Sequence, residues 1–223
     1  MKQSLCITFL FVILSVGNSA CKSSSSSSSS TTEETVTERS LPTLSVEELQ
    51  GIGCSDADYP AWETSDYVLP FLVGRTYPVR LSNCSSSYHA QGTNDELAFD
   101  FVMDVGTLVT ASRAGTVIFV EEGGTRSELN NVVVIDHGDD SYAEYMHLML
   151  DGALVEVGDS VEQGDEIGLS GVTGLAGYPH LHFIVVEREW RWPYVGVPVT
   201  FRNTAPNPHS LASYTEYTAL DYP

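Results

Sequence analysis

The residues with the clearest capacity for chemistry are two histidines in the run Pro-His-Leu-His-Phe at 179–183. Side chains two positions apart in a β-strand project from the same face, so His180 and His182 are predicted to lie side by side. Two neighbouring imidazoles are costly to bury unless they hold a metal ion or meet acidic groups. The pair alone leaves two interpretations open, a metal site and a pair of exposed strand histidines.

Three further residues favour the metal site. His147 lies in the run Tyr-Met-His-Leu, where strand alternation places it opposite Met146 and on the side of Tyr145. His89 precedes Asp100, an acid between two phenylalanines that is expensive to bury unless a positive group receives it. Histidine and carboxylate are the ordinary ligands of zinc, so the sequence predicts a zinc site built from this set.

Short β-prone runs, broken by glycine and acidic turns, must position these residues from about residue 66 onward. No segment shows sustained helical periodicity, so an all-β or nearly all-β domain is predicted. The stretch Asp136–Ser141 is predicted to be a hairpin loop between two strands. The candidate strands are 68–73, 98–103, 115–121, 131–136, 142–148, 180–187 and 197–202.

The first twenty residues follow an export pattern. Lys2 is followed by an apolar run at 5–16 and by a stretch of small and polar residues at 17–20. An apolar-rich run of this length is too short for a permanent membrane helix, so residues 1–20 are predicted to be a cleaved signal peptide.

Cys21 follows this leader directly and is succeeded by the serine run Ser23–Ser30. A cysteine after small residues, leading into a serine tether, resembles a bacterial lipoprotein junction, in which the thiol is acylated and anchors the protein to a membrane. Asn18 departs from that pattern, because such junctions usually carry an aliphatic residue there. The alternative is ordinary cleavage, which leaves Cys21 as a free or mispaired thiol.

Cysteine usage predicts one disulfide. Cys6 leaves with the leader and Cys21 is acylated, so Cys54 and Cys84 remain as a pair. An even remainder in an exported chain indicates a disulfide. Closing a loop of that length stabilises the fold by roughly 3–4 kcal/mol on the chain-entropy account.

The charge balance excludes one class of partner. The chain has 30 acidic and 10 basic residues, a formal net charge of −20, and such a chain repels the phosphates of nucleic acid. The same charge disfavours adhesion to anionic lipid or anionic wall polymers, except where salt screens it. A membrane is therefore expected to be contacted only through the lipid on Cys21, and charge alone names no substrate.

Over residues 66–202 the chain resembles the lysostaphin-type (LytM-like) zinc metallopeptidases, which are peptidoglycan endopeptidases. The glycine-rich middle alone is weak evidence, because lipoyl-like β folds share it, whereas all the pieces in one order with every histidine in place are strong evidence. The matching pieces are His89, Asp100–Phe101, Gly106–Val109, Ala114–Val117, Val133–Gly138, Tyr145–Leu148, Val157–Gly168, Gly171–Gly174 and Pro179–Phe183.

The resemblance implies a duplicated, barrel-sandwich-like β domain with one zinc ion, which hydrolyses peptide cross-links in bacterial peptidoglycan. It places zinc on His89, Asp100 and His182, and it sets His147 and His180 beside the open coordination position. Three protein ligands and a water are the arrangement of a catalytic zinc. The general base is expected to be His180, and His147 is expected to stabilise the oxyanion or protonate the leaving amine. The sequence does not decide which histidine does which.

One departure from the family concerns the carboxylate ligand. The common spacing puts the aspartate four positions after the first histidine, but Thr93 stands there and Asp100 follows His89 by eleven positions. Some relatives carry a longer version of this segment marked by an aromatic residue, which the run Ala-Phe-Asp-Phe at 98–101 matches. Asp100 is therefore predicted as the ligand, with Asp95 as the alternative.

Other residues have plainer interpretations. His137 and His209 are expected to be loop residues without a role in chemistry. Trp190 and Trp192 either line a substrate groove or cover the end of a strand, and the loop at 174–177 is expected to border the cleft.

Three other functions compete with the peptidase. A non-cutting regulator of wall enzymes on the same fold is disfavoured because all five site residues are kept, and a histidine phosphocarrier is disfavoured by the export leader. A structural zinc protein ranks last, because five candidate groups exceed the four that a closed site needs.

The predicted organisation follows from these features. The mature protein is expected to be exported and held in the cell envelope by its lipid, with peptidoglycan peptides as its partners. The segments are a signal peptide (1–20), a disordered lipoprotein-like Ser/Thr-rich linker (21–45), a lead-in (46–65), the metallopeptidase domain (66–202) and a C-terminal tail (203–223).

Overall fold

The computed structural model describes residues 53–126 and 129–223, and the leader, the Cys21 junction and the linker lie outside them. The described residues contain no α-helix, which confirms the all-β prediction, and none of their helical turns is long and apolar enough to cross a membrane. Two 3₁₀ turns cover Trp62–Thr64 and Ser87–His89. The strands are β1 (Thr76–Val79), β2 (Phe99–Val102), β3 (Leu108–Thr110), β4 (Gly115–Glu121), β5 (Val132–Asp136), β6 (Ser141–Met146), β7 (Leu148–Ala153), β8 (Ser160–Val161), β9 (Glu166–Ser170), β10 (His180–Glu187), β11 (Val195–Gly196) and β12 (Thr215–Thr218).

These strands form two antiparallel sheets. Within residues 53–126 and 129–223, the large sheet has nine strands in the order β12-β1-β2-β10-β6-β5-β4-β8, with β11 paired to one end of β10. The small sheet has three strands in the order β3-β9-β7. β10 is the longest strand, and it pairs with β2 on one side and with β6 on the other. Those two neighbours therefore hold whatever site the histidines of β10 build.

The central strands are buried on both faces, and their side chains alternate between the two. One face, which we call the core face, carries Phe99, Tyr145 and Phe183 in register across β2, β6 and β10. These rings pack with residues from the rest of the domain into one hydrophobic cluster. The opposite face, which we call the site face, carries Asp100 and His182.

Strand prediction succeeded where apolar runs are uninterrupted, since β4 and β10 have the predicted bounds. The predictions for 68–73 and 197–202 are wrong, because neither segment is a strand. Each contains a proline, Pro70 or Pro198, whose missing N–H cannot join a ladder. Pro78 does occur within β1. It is tolerated there because β1 pairs with β2 only at Val79, the residue after the proline.

Two predicted local features are confirmed. The hairpin loop lies where expected, because β5 ends at Asp136 and β6 begins at Ser141. Cys54 and Cys84 form a disulfide. The bond ties the segment before β1 to the start of the loop that carries His89.

Residues 203–223, predicted to be a tail, contribute a strand and part of the core. β12 pairs with β1 at the edge of the large sheet. Leu211 and Tyr217 are buried in the main hydrophobic cluster. The packed structure therefore continues beyond residue 202, in a segment too short and too polar for its strand to be recognised from alternation.

Candidate active site

The register of neighbouring strands brings the predicted acid and histidines together. His182 on β10 lies directly opposite Asp100 on β2, and directly opposite residues project from the same face. His180, two positions earlier, lies on that face too, as its spacing predicts. The rest of β10 is aliphatic, aromatic and β-branched, which favours an extended strand that keeps the two imidazoles adjacent.

His89 reaches the site from a 3₁₀ turn rather than from a strand. The turn follows the disulfide-bonded Cys84, which fixes the start of its loop. His89 is 1% exposed, and its ring meets that of His182 edge-on with 5.1 Å between centroids. Its Nε2 lies 3.2 Å from Oδ1 of Asp100.

His147 occupies the site because the backbone interrupts its strand. The prediction of one continuous strand over 142–148 is wrong, and in such a strand alternation would put His147 on the core face with Tyr145. Instead β6 ends one residue earlier, and His147 has a φ of 63°, in the left-handed region. Its ring centroid lies 4.7 Å from that of His180 and 5.6 Å from that of His182. Backbone strain of this kind, on the order of 1–3 kcal/mol, concentrates at functional sites.

Asp100 lies at the centre of the cluster. Its Oδ1 is 2.9 Å from Nδ1 of His182, 3.2 Å from Nε2 of His89 and 3.5 Å from Nε2 of His180. Its Oδ2 accepts a hydrogen bond of 2.8 Å from the hydroxyl of Tyr178, whose ring stacks on that of His180. One carboxylate oxygen is therefore held by the protein, and the other faces three imidazoles.

The arrangement fits a metal ion. The ligand atoms of two sets each lie within 4.8 Å of one another: His89 with Asp100 and His182, and His147 with His180 and His182. Two ligands about 2.0–2.1 Å from a tetrahedral zinc are about 3.3–3.4 Å apart, so the first set needs only a small expansion to hold the ion. Imidazole nitrogen and carboxylate oxygen are also the donor types that zinc prefers.

Backbone carbonyls fix the protons of the two remaining histidines. Nδ1 of His180 is 2.8 Å from the Tyr178 carbonyl, and Nδ1 of His147 is 2.8 Å from the Thr173 carbonyl. A carbonyl only accepts, so each Nδ1 carries the proton and each Nε2 presents a lone pair. The lone pair of His180 faces the Asp100 carboxylate, an arrangement that needs a positive charge between or on the two groups.

The pKa values follow from burial and from this clustering. Burial alone raises the pKa of Asp100, but hydrogen bonds with His182 and His89 outweigh it and hold the pKa well below its usual range. Burial lowers the pKa of His182, but the hydrogen bond with Asp100 and the nearby Asp95 carboxylate reverse this and raise it to about 10. Burial and the neighbouring imidazoles lower the pKa of His147 to about 3. The metal-free site therefore holds a proton on His182 that a metal ion must displace.

Asp95, the alternative carboxylate, lies on the other side of His182. Its Oδ1 accepts a hydrogen bond of 2.5 Å from the Tyr194 hydroxyl and lies 3.7 Å from Nε2 of His182. It belongs to neither of the two metal-compatible sets found in the described parts of the chain. This position suits a residue that orients His182, and it supports Asp100 as the ligand.

The five predicted site residues all line a groove with a volume of about 1020 Å³. They are His89, Asp100, His147, His180 and His182. Trp190, which packs on Phe119 with 4.9 Å between centroids, and the exposed Trp192 both line it. Of the two interpretations of the tryptophans, the groove lining is therefore the one observed. The loop at 174–177 borders the groove, as predicted.

The two remaining histidines lie in loops away from the groove lining, as predicted. Nδ1 of His137 is 2.8 Å from the Ala114 carbonyl, and its ring meets Tyr67 edge-on. The ring of His209 meets Tyr59 edge-on.

Glu144, Tyr178 and Tyr194 are among the polar groove residues that sequence reasoning missed. A signal for Glu144 was present, because strand alternation puts it on the face of Met146, among apolar residues, where an acid is unusual. The two tyrosines lie in irregular segments, where no periodicity predicts direction.

Comparison with known proteins identifies a family for the part of the chain that carries most of this site. Residues 95–192 match the profile of peptidase family M23. The chain carries an M23 peptidase domain. The matched range of the M23 domain contains Asp100, His147, His180 and His182, whereas His89 lies six residues before it, so the position of His89 in the site comes from the structure.

The M23 domain is similar to curated relatives over part of their length. Peptidoglycan DD-endopeptidase ShyA of Vibrio cholerae is 39% identical over 89 residues, which are 40% of this chain and 20% of the relative. Glycyl-glycine endopeptidase ALE-1 of Staphylococcus capitis is 42% identical over 85 residues, 38% of this chain and 22% of the relative. The match thus spans about a fifth of each relative. A solved structure, a zinc containing peptidase from Vibrio cholerae, is 30% identical with a TM-score of 0.44, covering 56% of this chain and 38% of that one.

Proposed function

We propose that the M23 domain is a zinc endopeptidase that hydrolyses peptide cross-links in bacterial peptidoglycan. The observation that carries the proposal is one oxygen of Asp100 set among three imidazole nitrogens in an open groove, with His147 beside them. The matched family is a peptidase family, and two relatives that share the domain are named as endopeptidases, one of them of peptidoglycan.

One zinc ion per domain suits the donors Nε2 of His89, Oδ1 of Asp100 and Nδ1 of His182. When bound, zinc supplies a Lewis acid that polarises the scissile carbonyl and lowers the pKa of a water. Neighbouring side chains orient two of these donors. The Tyr178 hydroxyl donates a hydrogen bond to Oδ2 of Asp100, and the Asp95 carboxylate faces Nε2 of His182. Three protein donors leave room for a water, which a closed structural site lacks.

His180 and His147 move the protons. The Nε2 lone pair of His180 takes a proton from the attacking water, while its Nδ1 keeps its own proton and donates it in a hydrogen bond to the Tyr178 carbonyl. Stabilising the oxyanion or protonating the leaving amine requires a proton on Nε2 of His147. A neutral His147 donates its one proton to the Thr173 carbonyl, so its second proton must be the one that the attacking water releases, passed on from His180, whose ring centroid lies 4.7 Å away.

The alternative is a non-cutting wall regulator on the same fold. It is disfavoured because such a protein has no use for two histidines whose lone pairs face a metal-compatible cluster. All five residues are present and the groove beside them is open.

Digestion of purified peptidoglycan tests the proposal. The zinc-loaded protein should release fragments whose masses show new amino and carboxyl ends on stem or bridge peptides. Chelator-treated protein should release none. Walls with several kinds of cross-link are needed, because the site does not specify which bond is cut. If none of these walls yields fragments, the regulator becomes the leading function, and new reducing sugar ends would indicate a glycosidase instead.

We further propose that the protein is exported and anchored in the cell envelope by a lipid on Cys21, a residue outside the described part of the chain. The leader at 1–20 and the serine run after Cys21 support this. Cys21→Ser should release the protein from membranes and abolish labelling by a fatty-acid analogue. Unchanged membrane partition would leave ordinary secretion.

A further inference from the structure

Glu144 is a buried acid on the site face that neither the metal site nor the proton transfers use. It lies on β6 opposite Ile184 of β10 and Val134 of β5, with Met146 next along the same face. The residue is 5% exposed, and its Oε1 has no hydrogen-bond partner among the described residues. A buried acceptor without a partner is destabilising, and more so when it is charged.

No lysine or arginine of the described chain forms an ion pair with Glu144. The described residues contain no lysine, and the two arginines that line the groove are engaged elsewhere. Arg80 lies over the ring of Tyr178 at 4.4 Å, and Arg191 lies over the ring of Trp190 at 4.2 Å. The carboxyl group is therefore available to a ligand in the groove.

Burial makes the ionised form of Glu144 costly, and a positively charged ligand offsets that cost more than a neutral one. Burial raises the pKa of this carboxyl group to about 8, with the charge of His182 acting against the shift and that of Asp95 adding to it. A cation in contact with the group favours its ionised form and gains a charge-assisted hydrogen bond. A neutral ligand offers the hydrogen bond alone.

Glu144 lies one step along the site face from the metal-compatible cluster. His182 and Ile184 are successive residues of that face, and Ile184 is the direct partner of Glu144. Strand residues two apart are separated by about 6.6–6.8 Å, which is also about the length of two residues of an extended peptide. A peptide that is cleaved at the cluster and runs along β10 toward Ile184 would place a residue close to the cleaved bond beside Glu144.

We propose that Glu144 binds a primary ammonium group of the substrate peptide, within two residues of the cleaved bond. This inference rests on the proposed endopeptidase function and gives its substrate class: peptides with a free amine, such as the side chain of a diamino acid that is not cross-linked. The apolar walls formed by Met146, Phe119 and Trp190 suit the methylene stem of such a side chain. The net charge of −20 attracts cationic peptides to the protein.

Calorimetric titration with a matched pair of peptides tests the proposal. The pair is a lysine-containing stem tetrapeptide and the same tetrapeptide with its lysine Nε-acetylated, each titrated into the zinc-loaded protein. The wild type should bind the amine form about tenfold more tightly, or better. Glu144→Gln should bring the two affinities within about threefold and leave that of the acetylated peptide unchanged. Glu156→Gln, which alters an exposed carboxylate outside the groove, should keep the wild-type preference.

Three results would overturn the proposal: equal binding of both peptides by the wild type, no measurable binding of the amine form at millimolar concentration, or an equal loss for both peptides in Glu144→Gln. Melting temperature and zinc content show whether the variant is folded, and Glu144→Met, of similar volume, replaces it if it is not. Because the readout is binding, it is independent of turnover. If the protein prefers the amine form but does not cleave peptidoglycan, the proposal for Glu144 stands and the endopeptidase function is overturned. If it cleaves peptidoglycan but binds both peptides equally, the endopeptidase function stands and the proposal for Glu144 is overturned.

Discussion

The core face and the site face of β2, β6 and β10 are almost equally buried, but they are satisfied in different ways. Phe99, Tyr145 and Phe183 on the core face are 0% exposed, and their rings contact one another. Asp100 and His182 on the site face are 4% and 6% exposed and contact each other through polar atoms. The same strands in the same register carry both sets.

The difference shows that the chain completes one face by itself and leaves the other to be completed by ligands. Apolar side chains on the core face need no partner beyond one another, since removing them from water already stabilises the fold. On the site face, the His180 lone pair faces a carboxylate, and Nδ1 of His89 and Oε1 of Glu144 have no partner in the described chain. Burial there shifts pKa values and prepares binding.

The largest effect should come from removing the polar centre of the site face. Asp100→Ala takes away the oxygen that three imidazoles share, so metal loss should abolish the release of peptidoglycan fragments altogether. Asp104→Ala, which alters an exposed acid beyond the end of β2, should stay within about threefold of the wild type. An Asp100→Ala protein that cuts as well as Asp104→Ala would remove the carboxylate from the account.

A smaller loss should follow when a proton carrier is removed and the ligands stay. His180→Ala should lower the rate of fragment release by about 10²–10⁴ and keep its zinc, because a general base contributes about that factor. His137→Ala is the matched control, since that ring lies outside the groove and should leave the rate unchanged. If His180→Ala loses its zinc as well, the ion is held by the other set, which contains His147, His180 and His182.

A substitution on the core face of β10 should lower the stability of the fold. Phe183→Ala removes a wholly buried ring and should lower the free energy of unfolding by about 3–5 kcal/mol, measured with denaturant in the presence of a chelator. Val195→Ala, at an exposed position on β11, should change it by less than about 0.5 kcal/mol. The comparison of the two faces fails if Phe183→Ala proves as harmless as Val195→Ala.

A further effect is expected on the pH dependence of the metal-free protein. The pKa of His182 is raised to about 10, so its contribution to stability is complete below the unfolded value of about 6.5 and is lost as pH rises through about 10. The melting temperature of the chelated protein should therefore fall between about pH 7 and pH 10, and His182→Ala should lack that part of the slope. Equal slopes in the two proteins would mean that His182 carries no such proton.

Alternation along regular strands predicted much of this site. The shared face of His180 and His182, and the placement of Asp100 between phenylalanines, follow from a period of two in β10 and β2. His147 could not be placed in this way, because its left-handed φ moves it off the face that alternation assigns, and no residue pattern marks that turn. His89 depends on a loop shaped by a disulfide, and loop geometry has no periodicity to read.

The fold, like the site, was predicted where local sequence patterns determine the structure and missed where they do not. All-β class, the hairpin at 136–141 and the disulfide followed from propensity, turn residues and cysteine count. The segments around Pro70 and Pro198 are hydrophobic enough to look like strands, but their backbones lack a donor that a ladder needs. β12 is only four residues long, and its pairing with β1 joins segments far apart in the sequence, which local patterns do not report.

Zinc content of single alanine variants tests the central claim, that the site face is completed by a metal ion on His89, Asp100 and His182. Plasma mass spectrometry of purified wild-type protein and of Asp95→Ala should find about one zinc per chain, since a residue that orients a ligand is not itself a ligand. His89→Ala, Asp100→Ala and His182→Ala should each contain little zinc. A site that Asp95→Ala empties and Asp100→Ala leaves filled would contradict the account.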